Sequence, residues 1–200
     1  MGAALLTQPE KVKEILTTLV NGLSIPVTCK IRVLPQLEAT LSLVKLIEST
    51  GVSALTVHGR TKEERPRHAN RNHVIKAVTE TVKVPIIANG GSREIKQYSD
   101  IETFRQQCGS SSVMLARAAE WNPSVFRKEG KLPLFDVIKE YVKLCIEYDS
   151  NFSNVKYCVL QMMHEDMDQQ EGLDTQASAT LEEIWYVNYY FIELESFKYT

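Results

Sequence analysis

The sequence predicts an α/β fold in which four consecutive strand–helix units form half of a (β/α)8 TIM barrel and are followed by helices. Segments with strand and helix patterns alternate four times between residues 1 and 130. The strands end at polar residues separated by 28, 31 and 28 positions, which matches the roughly 31 residues per unit of a barrel of ~250 residues. Two strands also alternate polar with apolar side chains, as barrel strands do. The polar residues are Lys30, His58, Asn89 and Arg117.

The first helix is predicted from its ends and its apolar spacing. Thr7 and Glu10 have the spacing of a capping box, in which each side chain satisfies a free backbone N–H at the start of a helix. Gly22 suits the C-terminal end of the same helix. Apolar residues at helical spacing predict a buried stripe, which consists of Val12, Ile15, Leu16 and Leu19.

The strands decide between two kinds of parallel sheet. In residues 25–33, Cys29 and Ile31 share one face, and Lys30 and Arg32 share the other. A central strand of a doubly wound sheet is covered by helices on both faces and is apolar on both. The alternation therefore favours a barrel, although the spacing alone also fits a doubly wound sheet. Strands are predicted at 25–33, 54–60, 84–91 and 111–119, and helices at 7–22, 37–51, 72–82 and 99–109.

Composition argues against several classes of protein. The net charge of −2 and the pI near 6.1 disfavour a histone-like nucleic-acid binder but leave room for local basic patches. The four cysteines have neither CxxC nor metal-ligand spacing, so no disulfide and no metal site is expected. No segment has the length and hydropathy of a membrane span or the features of a signal peptide, and a cytoplasmic protein is expected.

The ends of the predicted strands are the expected functional site, because barrels carry their sites at the carboxyl ends of the strands. Gly90 and Gly91 would let the backbone approach an anion closely, and Arg117 would add charge, so a phosphate site is predicted. A lone Gly-Gly pair is also typical of a tight turn. Lys30 and His58 have ordinary alternatives as a partly buried lysine and an interior histidine. Because both residues stand at the same point of successive βα units, a functional site is favoured over these alternatives.

Four linked segments, VTCKIRV, LTVHGRTKEERP, PIIANGG and SSVMLARAAEWNPSVF, resemble the flavin-dependent tRNA-dihydrouridine synthases, in particular the eukaryotic branch that acts on position 20 of the D-loop. The resemblance runs from Met1 to about Gly172. It implies that Lys30 lies against the flavin ring of FMN and that His58 also binds FMN. It further implies that the FMN phosphate is held by Asn89, Gly90, Gly91, Ala116 and Arg117.

The resemblance implies an enzyme that reduces the C5=C6 bond of a uridine in the tRNA D-loop, with NADPH as the reductant of FMN. The residues agree with it, because a cation near the ring suits the anionic reduced flavin. Two other interpretations stay open. One is another FMN barrel of the dihydroorotate-dehydrogenase type, and the other is a non-catalytic truncated isoform or RNA-binding fragment.

A basic loop follows the second strand and would border the mouth where an RNA enters. Basic side chains there would hold phosphates while the target uridine is drawn into the site, so the loop is predicted to contact tRNA. An ordinary solvated loop is an equal alternative. The residues are Arg60, Lys62, Arg65, Arg67 and Arg71 in the loop, with Lys139, Lys143 and Lys156 in the helical region as further candidates.

Beyond residue 130 the pattern becomes helical, and two helices are predicted within residues 132–167. With the resemblance, residues 1–130 are the FMN-binding half-barrel, residues 131–172 are part of a helical tRNA-binding domain, and residues 173–200 are a divergent tail. Core packing explains the apolar stripes of the two helices, which consist of Tyr141, Val142, Cys145, Val155, Cys158, Val159 and Met162.

Members of this family carry four earlier strands and a catalytic cysteine, and the segment MGAALL resembles the stretch just after that cysteine's loop. The chain is therefore expected to represent the C-terminal half of the barrel. Cys29 is expected on the helix-facing side of its strand, Cys108 at a helix end, and Cys145 and Cys158 in the helical region. None of them replaces the family cysteine as an acid near the base. No catalytic residue is assigned, and these 200 residues alone are expected to be inactive.

Overall fold

The computed structural model describes residues 2–188, which form two compact units divided between Ala116 and Arg117. Within that range, the first unit contains a 3₁₀ turn, four strands and four helices, and the second contains helices. The functional domains assigned from the sequence, residues 1–130, 131–172 and 173–200, stay predictions, because compactness does not reveal what a unit does.

Four parallel strands build the sheet of the first unit, and each pairs with the next one along the chain. All the strands and helices predicted for this part of the sequence are present, with somewhat different ends. The strands are β1 (Thr28–Arg32), β2 (Ala54–His58), β3 (Ile86–Asn89) and β4 (Ser112–Met114), and the helices are α1 (Pro9–Gly22), α2 (Leu37–Glu48), α3 (Asn72–Thr81) and α4 (Tyr98–Gln107).

The order of the strands distinguishes the two candidate architectures. In the sheet, strands β1 to β4 lie side by side in the same order as in the sequence. In a doubly wound sheet, the order of the strands reverses beside the first strand. Each of the helices α1 to α4 contacts the next helix in sequence, so the four helices cover one face of the sheet. The prediction of an α/β fold made of four barrel-type βα units is confirmed.

The two faces of the sheet differ in polarity, as the alternation in the strands predicted. Leu55, Val57 and Ala88 are fully buried on the face that meets the helices. The other face carries Lys30 and Asn89, together with other polar side chains at the same register. Burying each large apolar side chain contributes about 1.5–3 kcal/mol to folding. The core beneath the sheet includes Val44, Ile47, Ile75, Val78 and Phe104.

The start of α1 differs from the prediction. Thr7 ends a 3₁₀ turn (Gly2–Thr7) and its hydroxyl donates to the carbonyl of Ala4, so the predicted capping box is wrong. The helix instead begins at Pro9, whose missing N–H and fixed φ suit the first helical position. The predicted apolar stripe of α1 is only half buried. Val12 and Leu16 are buried, whereas Ile15 and Leu19 are 40% and 41% exposed.

The fourth strand also ends earlier than predicted. It stops at Met114, and the short helix α5 (Arg117–Trp121) begins three residues later. Arg117 is therefore the first residue of a helix and not the end of a strand. Ala116 lies in the intervening segment, and both residues are exposed. Lys30 likewise lies two residues before the end of β1, which is Arg32.

The second unit is helical and has its own apolar core. The two predicted helices are present as α6 (Leu134–Glu147) and α7 (Phe152–Met162), and a further helix, α8 (Gln170–Ala177), follows them. Lys156 donates to the carbonyls of Gln176 and Ser178 near the end of α8, at 2.6 and 2.7 Å. Core packing is confirmed for Cys145 and Met162, whereas Cys158 is only partly buried and lies outside the buried cluster. This cluster consists of Ile138, Val142, Cys145, Val155, Val159, Met162, Met163 and Ile184.

Trp121 and His164 stack within the second unit, with ring centroids 4.3 Å apart and an angle of 11° between the planes. A buried polar network follows Trp121. Asn122 accepts from the N–H and hydroxyl of Ser124 and donates to the carbonyl of Leu132. These contacts fix the chain between α5 and α6.

None of the helices described between residues 2 and 188 is long and apolar enough to cross a membrane. The cytoplasmic location expected from the sequence stays a prediction.

All four cysteines are unpaired thiols. Burial, with a smaller contribution from Glu94, raises the pKa of the Cys108 thiol to about 12.

Candidate functional site

The carboxyl ends of the four strands form one row across the sheet. Arg32, His58, Asn89 and Met114 pair in register, and each is the last residue of its strand. Parallel pairing of consecutive strands brings these residues together, although they lie about one βα unit apart in sequence. The row is the edge at which barrel enzymes carry their sites.

Lys30 and Asn89 interact directly on the polar face. The Lys30 ammonium donates to Asn89 Oδ1 at 3.0 Å, and Asn89 Nδ2 donates to the carbonyl of Met114 at 2.7 Å. Asn89 is buried, so its amide acts as a fixed acceptor that holds the lysine. Burial lowers the pKa of Lys30, and the neighbouring Arg32 lowers it further. The result is an oriented, partly desolvated cation at the open face of the sheet.

His58 and Arg60 form a second pair. The Arg60 guanidinium lies 3.1 Å from His58 Nε2 and also donates through Nε to the carbonyl of His68 at 2.7 Å. Because arginine only donates, His58 Nε2 is the acceptor in this pair. Arg60 is only 8% exposed.

The loop after Arg60 is shaped by Glu64. Its carboxylate accepts both N–H groups of the Arg71 fork, at 2.6 and 2.8 Å, and the backbone N–H of Thr61 at 2.7 Å. Burial would raise the pKa of Glu64, but the bonds from Thr61 and Arg71 outweigh it and hold the pKa below its usual value. Arg32 donates to the carbonyls of Thr61 and Glu64 and ties the loop to β1.

The structure separates the five basic residues predicted for RNA contact into two groups. Lys62, Arg65 and Arg67 are exposed. Arg60 is buried against His58 and His68, and Arg71 is engaged by Glu64. Composition alone does not separate these groups, because all five lie within twelve residues of sequence and carry the same charge.

Gly90 and Gly91 are required by the protein's own packing. Gly90 has a φ of 113°, a conformation that side chains rarely adopt, and a Cβ there would overlap the carboxamide of Asn70 and the ring of His58. A Cβ on Gly91 would lie 2.5 Å from the Phe104 ring. The tight-turn explanation of the Gly-Gly pair is therefore sufficient for its sequence, and the phosphate role stays a prediction.

Sequence reasoning missed Asn70. It lies in an irregular segment before α3, where an asparagine is ordinary, and no spacing rule connects it with the glycines. It also did not identify Glu64 as the organiser of the basic loop. A signal was present there, because Glu64 and Arg71 are complementary in charge within one short loop.

Comparison with known proteins places these features in a family. The chain matches the family model described as "Dihydrouridine synthase (Dus)" over residues 1–188, which extends beyond the Gly172 limit expected from the motifs. It is 41% identical over 170 residues, 82% of this chain, to the tRNA-dihydrouridine(20) synthase [NAD(P)+] of Schizosaccharomyces pombe. The identity is 35% over 173 residues, 85% of this chain, with the tRNA-dihydrouridine(20a/20b) synthase [NAD(P)+]-like protein of Mus musculus.

A bacterial relative shows a similar degree of identity. The tRNA-dihydrouridine synthase B of Yersinia pestis is 36% identical over 129 residues, which is 64% of this chain and 39% of that protein. The chain spans 35% of the fission yeast protein and 52% of the mouse protein, which is about a third and about half of their lengths. With its barrel-type βα units and its match to the family model over residues 1–188, this chain belongs to the dihydrouridine synthase family.

Proposed function

We propose that the protein containing this chain is an FMN-dependent tRNA-dihydrouridine synthase that reduces the C5=C6 bond of a D-loop uridine with NADPH as reductant. The observation that supports it most directly is the Lys30–Asn89 pair on the polar face of the sheet, in a chain of this family. The names of the relatives refer to NAD(P)+ and to tRNA dihydrouridine. The similarity favours this function over another flavin barrel.

The donor set of the polar face fits FMN. Lys30 is proposed to lie against the flavin ring, where its ammonium suits the charge of the reduced ring. Asn89 orients Lys30 through Oδ1 and is itself held by Met114. His58, whose Nε2 contacts the Arg60 guanidinium, is proposed as a further FMN contact, in line with the family resemblance. When bound, FMN supplies the hydride for the uracil ring.

The phosphate of FMN is proposed to lie at the turn that follows β3. Gly90 and Gly91 have no side chains of their own, so their backbone can approach an anion closely. Ala116 and Arg117 are proposed as further contacts, in line with the family resemblance. Both are exposed, so they are accessible to a ligand. A charge-assisted contact from a guanidinium to a phosphate is one of the stronger hydrogen bonds.

The tRNA contacts are proposed to come from Lys62, Arg65 and Arg67, because these three basic residues of the loop are exposed. Arg60 and Arg71 are proposed to support the loop from inside, since His68 and Glu64 occupy their guanidinium groups. The loop then offers three cations on a backbone that is already ordered, which lowers the entropy cost of binding a phosphate chain.

These 200 residues by themselves are proposed not to reduce uridine. The reaction needs an acid near C5 of the base, and the cysteines of this chain are poorly placed for that task. Cys29 alternates with Lys30 and so lies on the opposite face of β1. Cys108 is buried with a raised pKa, and Cys145 belongs to the core of the second unit. Cys158 is in α7 of that unit.

The test is the Lys30→Met variant of the complete protein that carries this chain. Its FMN affinity and its dihydrouridine formation on tRNA should both fall, with activity lost on the order of a hundredfold because an electrostatic contact to the reacting group is removed. Lys45→Met, on the exposed side of α2, is the control and should behave like the parent. Parent-like flavin binding and turnover in Lys30→Met would overturn the proposal.

A further inference from the structure

The turn after β3 is packed against the side chain of Asn70, which lies in the segment between β2 and α3. We infer that Asn70 is a positioning residue: its carboxamide is wedged between the ends of β2 and β3 and sets the Gly90-Gly91 turn for the cofactor's phosphate. The inference rests on the proposed function, because the phosphate contact at this turn is itself part of that proposal.

The contacts of Asn70 involve glycines from both strands. A Cβ on Gly59, just after β2, would lie 2.7 Å from Asn70 Oδ1 and 3.0 Å from its Cγ. A Cβ on Gly90, just after β3, would lie 2.8 Å from Asn70 Cγ and closer still to Oδ1. The carboxamide therefore occupies the space that side chains at both positions would need. Each glycine is matched to Asn70 by shape.

The amide of Asn70 is held in one orientation. Its Nδ2 donates to Asn72 Oδ1 at 2.7 Å, whereas Oδ1 is buried and accepts no hydrogen bond from the described residues. An unpaired buried acceptor lowers stability, so such groups in folded proteins call for an explanation. Here the oxygen fills the space that a Cβ on Gly59 or on Gly90, just after the two strands, would need. Its contribution is to position them.

A second set of hydrogen bonds, made by Asn72, holds the end of the turn near Glu94. Asn72 Nδ2 donates to Glu94 Oε2 at 2.8 Å and to Gln107 Oε1 at 3.0 Å. The backbone N–H of Glu94 in turn donates to the carbonyl of Gly91 at 2.8 Å. Asn70 and Asn72 thus hold residues 90–94 at both ends. Without Asn70, Gly90 is free to relax, because glycine readily leaves a positive φ.

The experiment compares two flavins that differ only in the phosphate. In the complete protein that carries this chain, the dissociation constants of FMN and of riboflavin are measured for the parent and for Asn70→Ala. Misplacing the turn should weaken FMN binding roughly tenfold, as removal of a ligand-supporting residue commonly does. Riboflavin binding should stay at the parental value. Asn21→Ala, at an exposed position of α1, is the matched control and should change neither constant.

A variant pair tests the wedge without any cofactor. Gly59→Ala should lower the Tm because the new methyl group meets Asn70. Adding Asn70→Ala should restore part of the loss, since it removes Oδ1 and Cγ of Asn70, two of the three atoms nearest to that methyl group. Asn70→Asp offers a second route if Asn70→Ala folds poorly, because it keeps the shape while placing a negative charge beside the turn. It should weaken FMN binding and spare riboflavin.

The outcomes separate the inference from the proposed function. An unchanged ratio of FMN to riboflavin affinity in Asn70→Ala and Asn70→Asp, in a protein that binds FMN, would refute the positioning role. Equal weakening of both flavins would also refute it, since that result indicates a general loss of structure. A parent protein that binds neither flavin would overturn the proposed function and this inference with it.

Discussion

Arginine has two roles in the segment that follows β2, and the acceptors of the guanidinium groups distinguish them. Arg60 and Arg71 direct their guanidinium groups to protein acceptors, at His68 and Glu64. Arg65 and Arg67 are exposed. A guanidinium inside the protein needs fixed acceptors because an unpaired buried charge is costly. Glu64 supplies two of these acceptors and receives the Thr61 N–H as well, so a single carboxylate organises the loop.

Replacing Glu64 by Gln should therefore destabilise the protein at neutral pH, by about 1–2 kcal/mol for a partly screened charged pair. The loss should depend on pH. The folded-state pKa of Glu64 lies below the ordinary value of 4.5, so its stabilisation is complete above that value and disappears as the pH falls through the lowered pKa. Chemical denaturation from pH 7 downwards measures this, and parent and variant should converge in acid.

The matched control is Glu63→Gln. Glu63 pairs with Lys62 at 3.5 Å and is 63% exposed, and an exposed pair contributes little to stability. A difference between parent and Glu64→Gln that is the same at every pH would show that the ion pair does not cause the effect.

At the scale of the element, the loop of residues 61–71 is held by hydrogen bonds from Arg32 and Arg71 on its inner side and is basic on its outer side. Arg32 of β1 donates to the carbonyl of Thr61, and Arg71 donates to the carboxylate of Glu64. The three exposed cations, Lys62, Arg65 and Arg67, are the side chains proposed to meet the RNA backbone.

Changing Lys62, Arg65 and Arg67 together to Gln should weaken tRNA binding. Each lost phosphate contact should reduce the slope of log K against log salt by about 0.7–0.9, so the slope should flatten by roughly two units. Titration of the complete protein with tRNA at several salt concentrations measures the slope. Lys45, Lys76 and Lys83, exposed on or next to the helices, changed together to Gln remove the same charge elsewhere and should leave the slope nearly unaltered. Equal slopes for both triple variants would mean that the loop is an ordinary solvated surface.

At the scale of the molecule, the sheet has two edges among the described residues. β1 and β4 each pair with one strand in residues 2–188, and their outer N–H and C=O groups form a template for another strand. The polar face of the sheet is also open, since Met114 and Lys30 are exposed. Both features favour association with further protein.

The 200-residue chain, purified alone, should therefore associate into oligomers or aggregates, retain little FMN and form no dihydrouridine. Light scattering after size-exclusion chromatography reports its mass, flavin absorbance reports the cofactor, and nucleoside analysis of treated tRNA reports the product. The complete protein serves as the positive control. A yellow monomer that makes dihydrouridine would refute this expectation and show that another residue of this chain is the acid.

Local patterns in the sequence were sufficient for the βα units and for two of the four polar strand ends, His58 and Asn89, but not for Lys30 and Arg117. The repeat of strand and helix, the polar alternation in β1 and β2, and the motif residues Lys30, His58 and Asn89 depend on neighbours in sequence. Such features can be predicted from the sequence because successive side chains of a strand point to opposite faces. The same patterns indicated the family that the comparison then showed.

The tertiary structure decided what depends on distance in space. Lys30 and Asn89 are 59 residues apart in sequence, yet Lys30 Nζ lies 3.0 Å from Asn89 Oδ1. They meet because β1 and β3 both pair with β2, one on each side of it. The division of the basic loop into supporting and exposed residues, and the wedge of Asn70 between Gly59 and Gly90, arise in the same way. Steric fit and the pairing of buried charge are properties of the packed molecule. No local pattern in the sequence encodes them, so only the fold reveals which of several similar side chains holds the site together.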